Sequence, residues 1–297
     1  VEWEELTITS SNEVRAAVEN ILIEEGAAGI KNNEQDLQGQ LTGVSLSGYF
    51  KSEQHIATRI TIIRNKVEEL RKFGLEPGKV ILSLKDIKEQ WSDQWEKYYH
   101  ATRITRYLTI VPSWEQYRSE QSEEKVIRLN PGKAFGTGTH PTTVLALRAL
   151  EDVIRGSETM IDVGTGSGVL SLAAKALGAG PIQAFDITED ALTSARQNIE
   201  LNPFATGISI RRNDLLKGIN TCVDLIAANV LPEVLLALLP QVPAHLKENG
   251  YFIASGIIAA KKDVLQEAIL KEGLIIDQIA TDGKWVSIIA HKVTDKE

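Results

Sequence analysis

The run "IDVGTGSG" (161–168) limits the possible folds of this chain more than any other stretch. Gly164, Gly166 and Gly168 alternate between an apolar, strand-like segment, "ETMIDVG", and a helical one, "VLSLAAKALG". Glycines at a strand-to-helix turn let the backbone bend sharply and let a ligand approach it closely. The helix N-terminus that follows favours an anionic group. The downstream chain repeats the alternation. "PIQAFDI" and "GISIRRND" read as strands, with helix "EDALTSARQNIELN" between them. "VDLIAAN", a helix over 232–247, strand "NGYFIAS" and a helix over 261–271 follow. Strand–helix alternation predicts a parallel sheet. Asp282-Gly283 lies between two apolar alternating runs and marks a hairpin, so an antiparallel pair is expected to cap that sheet.

Residues at successive strand ends of such a sheet line one crevice, where open α/β sheets bind ligands. Asp186 ends the second strand, placed to accept hydrogen bonds from a ribose diol; Asn213 and Asp214 end the third and Asn229 the fourth. A phosphate-cradling Walker loop requires Lys-Ser/Thr after the glycines, where this chain has Val169-Leu170. The dinucleotide fingerprint requires Gly or Ala where Val169 stands, a single mismatch that weakens that reading without excluding it. The hairpin ending favours the methyltransferase version of the fold, in which the helix terminus faces the carboxylate of S-adenosylmethionine. A tight turn without a ligand is the plain alternative.

The first 88 residues follow a different order, β-α-β-β-α-β, that of a ferredoxin-like split unit. "WEELTIT" is its first strand. Ser11 is the expected cap of a helix whose Val14, Ala17, Val18, Ile21 and Leu22 share one face, and Gly26 closes it. "AAGIK" and "TGVSLSGYF" are strands; a helix marked by Ile60, Ile63, Val67 and Leu70 stops at Gly74, and "KVILSLKDI" is the last strand. Residues 89–105 read as a connecting segment with a helical start, Trp91, Trp95 and Tyr98 lining one side as interdomain glue or as a partner contact. Strands "RYLTIVPSW" and "KVIRLN" then lead into "NPGKAFGTGTHPTT" (130–143), in which Pro141 suits a helix's first turn. His140 is either a ligand contact or a helix-start residue.

A formal net charge of −8 argues against broad nucleic-acid binding and suits a basic partner. The one cysteine, Cys222, excludes an intramolecular disulfide and fits a reducing cytosol. "VEWEELTI" lacks the basic start and apolar core of a signal peptide. The most apolar window, 223–240, contains Asp224, Asn229, Pro232 and Glu233 and reads as strand, turn and helix, so no membrane span is expected. The five histidines have no metal-ligand spacing and no Gly-x-Ser-x-Gly elbow occurs, so no metal site is expected.

"NPGKAFGTGTHPTT", "DVGTGSGVLSLAA", Asp186 and "ANVLPEVL" together resemble the ribosomal protein L11 methyltransferase family, PrmA. The resemblance covers nearly the whole chain, including "WEKYY", "VPSW" and the small N-terminal domain, and "AFGTGTHPTT" is its most specific element. It implies an α/β class I S-adenosylmethionine-dependent methyltransferase (Rossmann-like) fold behind a small N-terminal α+β ferredoxin-like domain. The implied organisation is a recognition domain over 1–88, a linker with a helix over 89–105 and a catalytic domain over 106–297. Implied contacts to S-adenosylmethionine are Thr143, Gly164, Asp186 and Asn229, with Gly166 in the same loop and Phe135 against the cofactor. The run around Gly132, Gly136 and Gly138 is then a lid. The implied activity is methylation of lysine side-chain and N-terminal amines of ribosomal protein L11, free or on the ribosome, in the cytoplasm, with the N-terminal domain recognising the substrate and swinging relative to the catalytic domain. Val230 stands where the family shows Ile and keeps an apolar β-branched residue. "NVLP" departs from the Asn-Pro-Pro-aromatic signature of many base methyltransferases, which disfavours a base substrate. Related methyltransferases acting on another protein or on RNA, and a non-catalytic ribosome-assembly factor, are the competing readings. Asn229 is the expected catalytic residue, its side-chain carbonyl orienting the amine; a contact to the cofactor alone, or a plain strand end, is the alternative.

Overall fold

The computed structural model describes residues 3–27, 29–33, 43–51, 56–87, 99–130, 136 and 138–293. Trp91, Trp95, Tyr98 and Phe135, and most of the connecting segment, lie outside these residues. Among the described residues the chain divides into two compact units, one ending at His100 and the other beginning at Ala101.

The first unit carries strand β1 (Trp3–Ser10), helix α1 (Arg15–Glu24), β2 (Gly29–Asn32), β3 (Val44–Lys51), α2 (Ile60–Glu69) and β4 (Ile81–Ile87). Its sheet has the order β2-β3-β1-β4, with every neighbouring pair antiparallel. Alternation explains the burial: Leu6 and Ile8 of β1 and Leu46 and Phe50 of β3 share a core with Val18 and Leu22 of α1 and Ile63 and Val67 of α2. That is the ferredoxin-like arrangement the element order predicts. Gly26 and Gly74 end the two helical segments, as expected. Ser11 departs from expectation. Its hydroxyl donates to the Glu76 carbonyl and caps no helix, because a 3-10 turn over Asn12–Val14 precedes α1.

The second unit opens with a three-stranded sheet of β5 (Thr102–Arg103), β6 (Leu108–Pro112) and β7 (Lys125–Leu129). β5 falls within the stretch read as a connecting segment. The main elements follow: α3 (Pro141–Val153), β8 (Met160–Val163), α4 (Val169–Ala176), β9 (Ile182–Asp186), α5 (Glu189–Glu200), β10 (Ile208–Arg212), β11 (Val223–Asn229), α6 (Pro232–Leu238), α7 (Val242–His245), β12 (Leu246–Ile258), α8 (Lys262–Lys271), β13 (Leu274–Asp282) and β14 (Trp285–Lys292). The sheet order is β10-β9-β8-β11-β12-β14-β13, and only the pairs made by β14 are antiparallel. β8 is buried throughout because both sheet faces are covered. Met160, Leu225 and Ala227 pack in one core with α3 and α4, while Ile161, Val163, Ile226 and Ala228 pack in another with α6 and α8. The chain runs outward from β8 through β9 and β10, then returns to β11 on the other side. This places a topological switch between β8 and β11, where such sheets open a ligand crevice.

Two details differ from the sequence expectation. The helix over 232–247 is two short helices separated by a 3-10 turn, with Pro240 and Pro243 at the break; each proline removes an amide donor and crowds the preceding turn. The hairpin is where Asp282-Gly283 signals it, but Asp282 pairs with Trp285, so the central turn residues are Gly283 and Lys284. Gly283 has φ +56°, and a side chain there would meet nothing within 4 Å. Gly283→Ala therefore isolates backbone strain and is expected to destabilise the chain by about 1 kcal/mol. Urea unfolding checks this, and equal stability of the variant would show that the turn has other accessible geometries.

Candidate active site

Three strands end at the switch point, and each delivers one polar feature. β8 passes into the glycine loop, in which the Gly164 and Thr165 amides both donate to the Phe185 carbonyl at the end of β9 (2.8 and 2.9 Å). Gly164 has φ +73°, and a Cβ on it would lie 2.4 Å from Val230 Cγ1, so only glycine fits against the turn that follows β11. The Gly166 amide donates to Asp186 Oδ2 (3.1 Å). Asp186 Oδ1 accepts from the amide and hydroxyl of Thr188, each at 3.0 Å. Three of the roughly four acceptor positions of a carboxylate are thereby used, which fixes its orientation and leaves capacity for a further hydroxyl donor.

Asn229, the last residue of β11, is 9% exposed, and its Nδ2 donates to the Thr143 hydroxyl across 3.4 Å. Thr143 is fully buried in the first turn of α3. Asn229 Oδ1 is buried without a hydrogen-bond partner in the protein. A buried amide oxygen left so costs on the order of 1–3 kcal/mol, and a ligand donor would remove that cost. His140 is the N-cap of α3. Its Nδ1 accepts from the Thr142 amide (3.3 Å) and lies 2.8 Å from the Thr142 hydroxyl, and its ring meets Trp285 edge-on at 5.3 Å. The helix-start reading of His140 is the one this geometry describes. Ser255 joins the same end of the sheet to α3 by donating to the Thr142 carbonyl (2.7 Å).

Beneath the glycine loop lies a carboxylate whose role the sequence reading did not identify. Asp162 is fully buried, and its Oδ2 accepts from the hydroxyls of Thr165 and Ser171, both at 2.7 Å, tying the loop to the first turn of α4. Its Oδ1 has no partner in the protein. Burial outweighs the two hydroxyl donors and pushes its pKa up to about 6. Asn198 and Asn202 are likewise buried polar residues that the sequence reading passed over. Their signal is present in "ALTSARQNIELN". Ala191, Ala195, Asn198 and Asn202 follow the helical period of the buried face, so two amides stand where apolar residues would be expected. Of the other strand-end residues, the Asn213 Nδ2 donates to the Leu215 carbonyl (2.8 Å) and Asp214 pairs with Lys217 (2.5 Å) at the surface.

The sequence-predicted residues thus form two joined groups. Gly164, Gly166 and Asp186 are linked through β8 and β9; Thr143 and Asn229 are linked through α3 and β11; Val230 against Gly164 brings the groups together. Among the described residues no group of three His, Cys, Asp or Glu side chains is arranged to hold a metal.

The family model for "Ribosomal protein L11 methyltransferase (PrmA)" matches residues 2–293. A relative from Levilactobacillus brevis named ribosomal protein L11 methyltransferase is 45% identical, with all of both chains covered. One of the same name from Enterococcus faecalis is 41% identical over 98% of this chain and 99% of its own. A crystal structure of ribosomal protein L11 methylase from Lactobacillus delbrueckii subsp. bulgaricus is 38% identical. It superposes with a TM-score of 0.63, covering 66% of this chain and 100% of its own.

Asp162 sets a pH dependence whose sign follows from its raised pKa. Below about pH 3 the carboxyl is protonated in both folded and unfolded chains. Between about pH 3 and 7 the folded chain holds more of this proton than the unfolded chain, so stability falls as pH rises, and the cost is fully present above about 7. Relative to Asp162→Asn, the wild-type chain is expected to lose about 2 kcal/mol between pH 4 and 6.5. Urea unfolding of both proteins across that range checks it; a constant difference would show that Asp162 does not titrate there.

Proposed function

The chain belongs to the ribosomal protein L11 methyltransferase (PrmA) family, and from that premise we propose that it transfers methyl groups from S-adenosylmethionine to lysine side-chain and N-terminal amines of ribosomal protein L11. The observation that carries the cofactor assignment is the fit between the strand-end residues and the parts of that molecule. The Asp186 carboxylate, held by three protein donors, retains capacity for a ribose hydroxyl. The glycine loop has no side chain at 166, where a ligand can approach the backbone, while Val230 takes the place of a side chain at 164. Asn229 Oδ1 and Thr143 supply polar atoms at the neighbouring strand end. In this reading Gly164, Gly166, Asp186, Thr143 and Asn229 hold the cofactor, with Phe135 against it.

The bound cofactor supplies an electrophilic sulfonium methyl. The protein's task is to align an amine lone pair with the sulfur–methyl bond and to keep that amine neutral. A free lysine at pH 7 is neutral only at a cost of about 4–5 kcal/mol, whereas an α-amine, with a pKa near 8, costs about 1 kcal/mol. Asn229 acts on the first requirement. Its Nδ2 is engaged by Thr143, so Oδ1 is turned to accept from the amine N–H and aim the lone pair away from itself. Burial acts on the second, since an amine drawn beside a 9% exposed side chain loses water and its pKa falls. The N-terminal unit, over residues 1–88, serves substrate recognition, and residues 89–105 link it to the catalytic domain over 106–297. The net charge of −8 suits a basic ribosomal protein, free or on the ribosome, in the cytoplasm. No helix among the described residues is long and apolar enough to cross a membrane.

Labelled S-adenosylmethionine with purified ribosomal protein L11, set against free ribosomal RNA, tests the assignment. Label is expected in protein amines. A chain lacking residues 1–88 is expected to bind S-adenosylhomocysteine yet leave intact L11 unmodified. Label in RNA, or in neither, would overturn the substrate reading, and full activity of the shortened chain would overturn the recognition role. Asp186→Ala is expected to weaken S-adenosylhomocysteine binding by about 1.5–3 kcal/mol, since it removes the ribose acceptor and releases the Gly166 amide. Calorimetry reads this directly, and unchanged affinity would remove Asp186 from the site.

A further inference from the structure

The two buried asparagines at the end of α5 make similar numbers of hydrogen bonds, but to different places. Asn202 serves β7 and its own helix. Its Oδ1 accepts from the Arg128 amide (2.8 Å), and its Nδ2 donates to the Arg128 and Asn198 carbonyls (2.7 Å each). Asn198, fully buried, instead bridges two separate segments. Its Oδ1 accepts from the Asn130 amide (2.7 Å), and its Nδ2 donates to the Ser167 carbonyl in the glycine loop (2.9 Å). Ser167 completes the connection, because its hydroxyl donates to the Gly136 carbonyl (2.6 Å). Asn130 and Gly136, six positions apart in the chain, are therefore both tied to one residue of the glycine loop. One tie runs through the Asn198 amide, the other through the Ser167 hydroxyl.

We propose that Asn198 is a positioning residue for cofactor binding, acting through Ser167 to fix the glycine loop against both ends of the "NPGKAFG" run. The inference rests on the cofactor assignment above and goes beyond it. Among the described residues Asn198 hydrogen-bonds to Asn130, Ser167 and Asn202 rather than to a proposed cofactor-binding residue, and it acts by fixing where the loop backbone stands. The geometry is demanding, since Asn198 must present an acceptor to one segment and a donor to the other at once. An amide does this; a carboxylate or a hydrocarbon of the same shape does not. Removing it leaves the buried Ser167 carbonyl unsatisfied and frees the Asn130 amide, on the two segments whose separation it sets.

Asn202 is the internal control, since it is similarly buried and its hydrogen bonds go to Arg128 and to the Asn198 main-chain carbonyl, not to the glycine loop. The test uses the full chain and measures S-adenosylhomocysteine affinity by calorimetry, below each variant's unfolding transition, alongside urea midpoints. Asn198→Ala and Asn202→Ala are both expected to lower the midpoint. Only Asn198→Ala is expected to raise the dissociation constant, by about tenfold or more, with Ser167→Ala raising it severalfold. Equal changes in affinity for Asn198→Ala and Asn202→Ala, or none for Asn198→Ala, would overturn the proposal by reducing Asn198 to a structural part of the helix. If Asn198→Ala does not fold, Asn198→Asp decides, since it keeps the acceptor for the Asn130 amide and removes the donor to the Ser167 carbonyl; unchanged affinity there overturns the coupling. A wild-type chain without affinity for S-adenosylhomocysteine would instead reject the cofactor assignment on which the coupling rests.

Discussion

The turn from β8 into α4 is attached to the end of β9 by three hydrogen bonds, from the amides of Gly164 and Thr165 to the Phe185 carbonyl and from the Gly166 amide to the Asp186 carboxylate. Each is worth only about 1 kcal/mol net, the charged one somewhat more. Together they settle where the backbone of the glycine loop lies and which way the carboxylate faces. The other features of the crevice are placed relative to that attachment. Val230 packs where a Cβ on Gly164 would stand, so the β11 turn closes against the loop. Asn229 then comes to rest beside Thr143.

Polar groups are buried beneath this edge at some expense to stability. Asp162 holds Thr165 and Ser171 together but is kept charged at neutral pH without a solvent contact. An apolar residue in its place would leave both hydroxyls without that acceptor and the loop without its tie to α4. Asn229 repeats the pattern, with one end of its amide satisfied by Thr143 and the other end left for a donor that the protein does not supply. Such uncompensated polar atoms mark the places where stability gives way to binding.

Much of this was legible in the sequence because it depends on local chemistry. The alternating glycines, the strand–helix period and the acidic residue ending "QAFD" each encode a backbone requirement that only certain residues meet. For that reason Gly164, Asp186 and Asn229 are found at strand ends of one edge. The N-terminal β-α-β-β-α-β order was readable for the same reason, from apolar spacing and the helix-ending Gly26 and Gly74. What was missed depends on distant partners. Asn198 and Asn202 look like polar positions on an amphipathic helix until β7 and the glycine loop are seen to need donors and acceptors exactly there in space. The break in the helix after Pro232 was visible as Pro240 and Pro243, but an apolar run of that length favoured a continuous helix. Ser11 was assigned a local role and took a long-range one, 65 residues away at Glu76.

The central claim is that the carboxyl ends of β8, β9 and β11 form one cofactor cleft. A crystal structure with S-adenosylhomocysteine tests it most directly. The account predicts the ribose within hydrogen-bond distance of Asp186, the amino-acid portion along the loop from Gly164, and a ligand donor at Asn229 Oδ1. Ligand bound elsewhere, with this edge of the sheet unchanged, would contradict it.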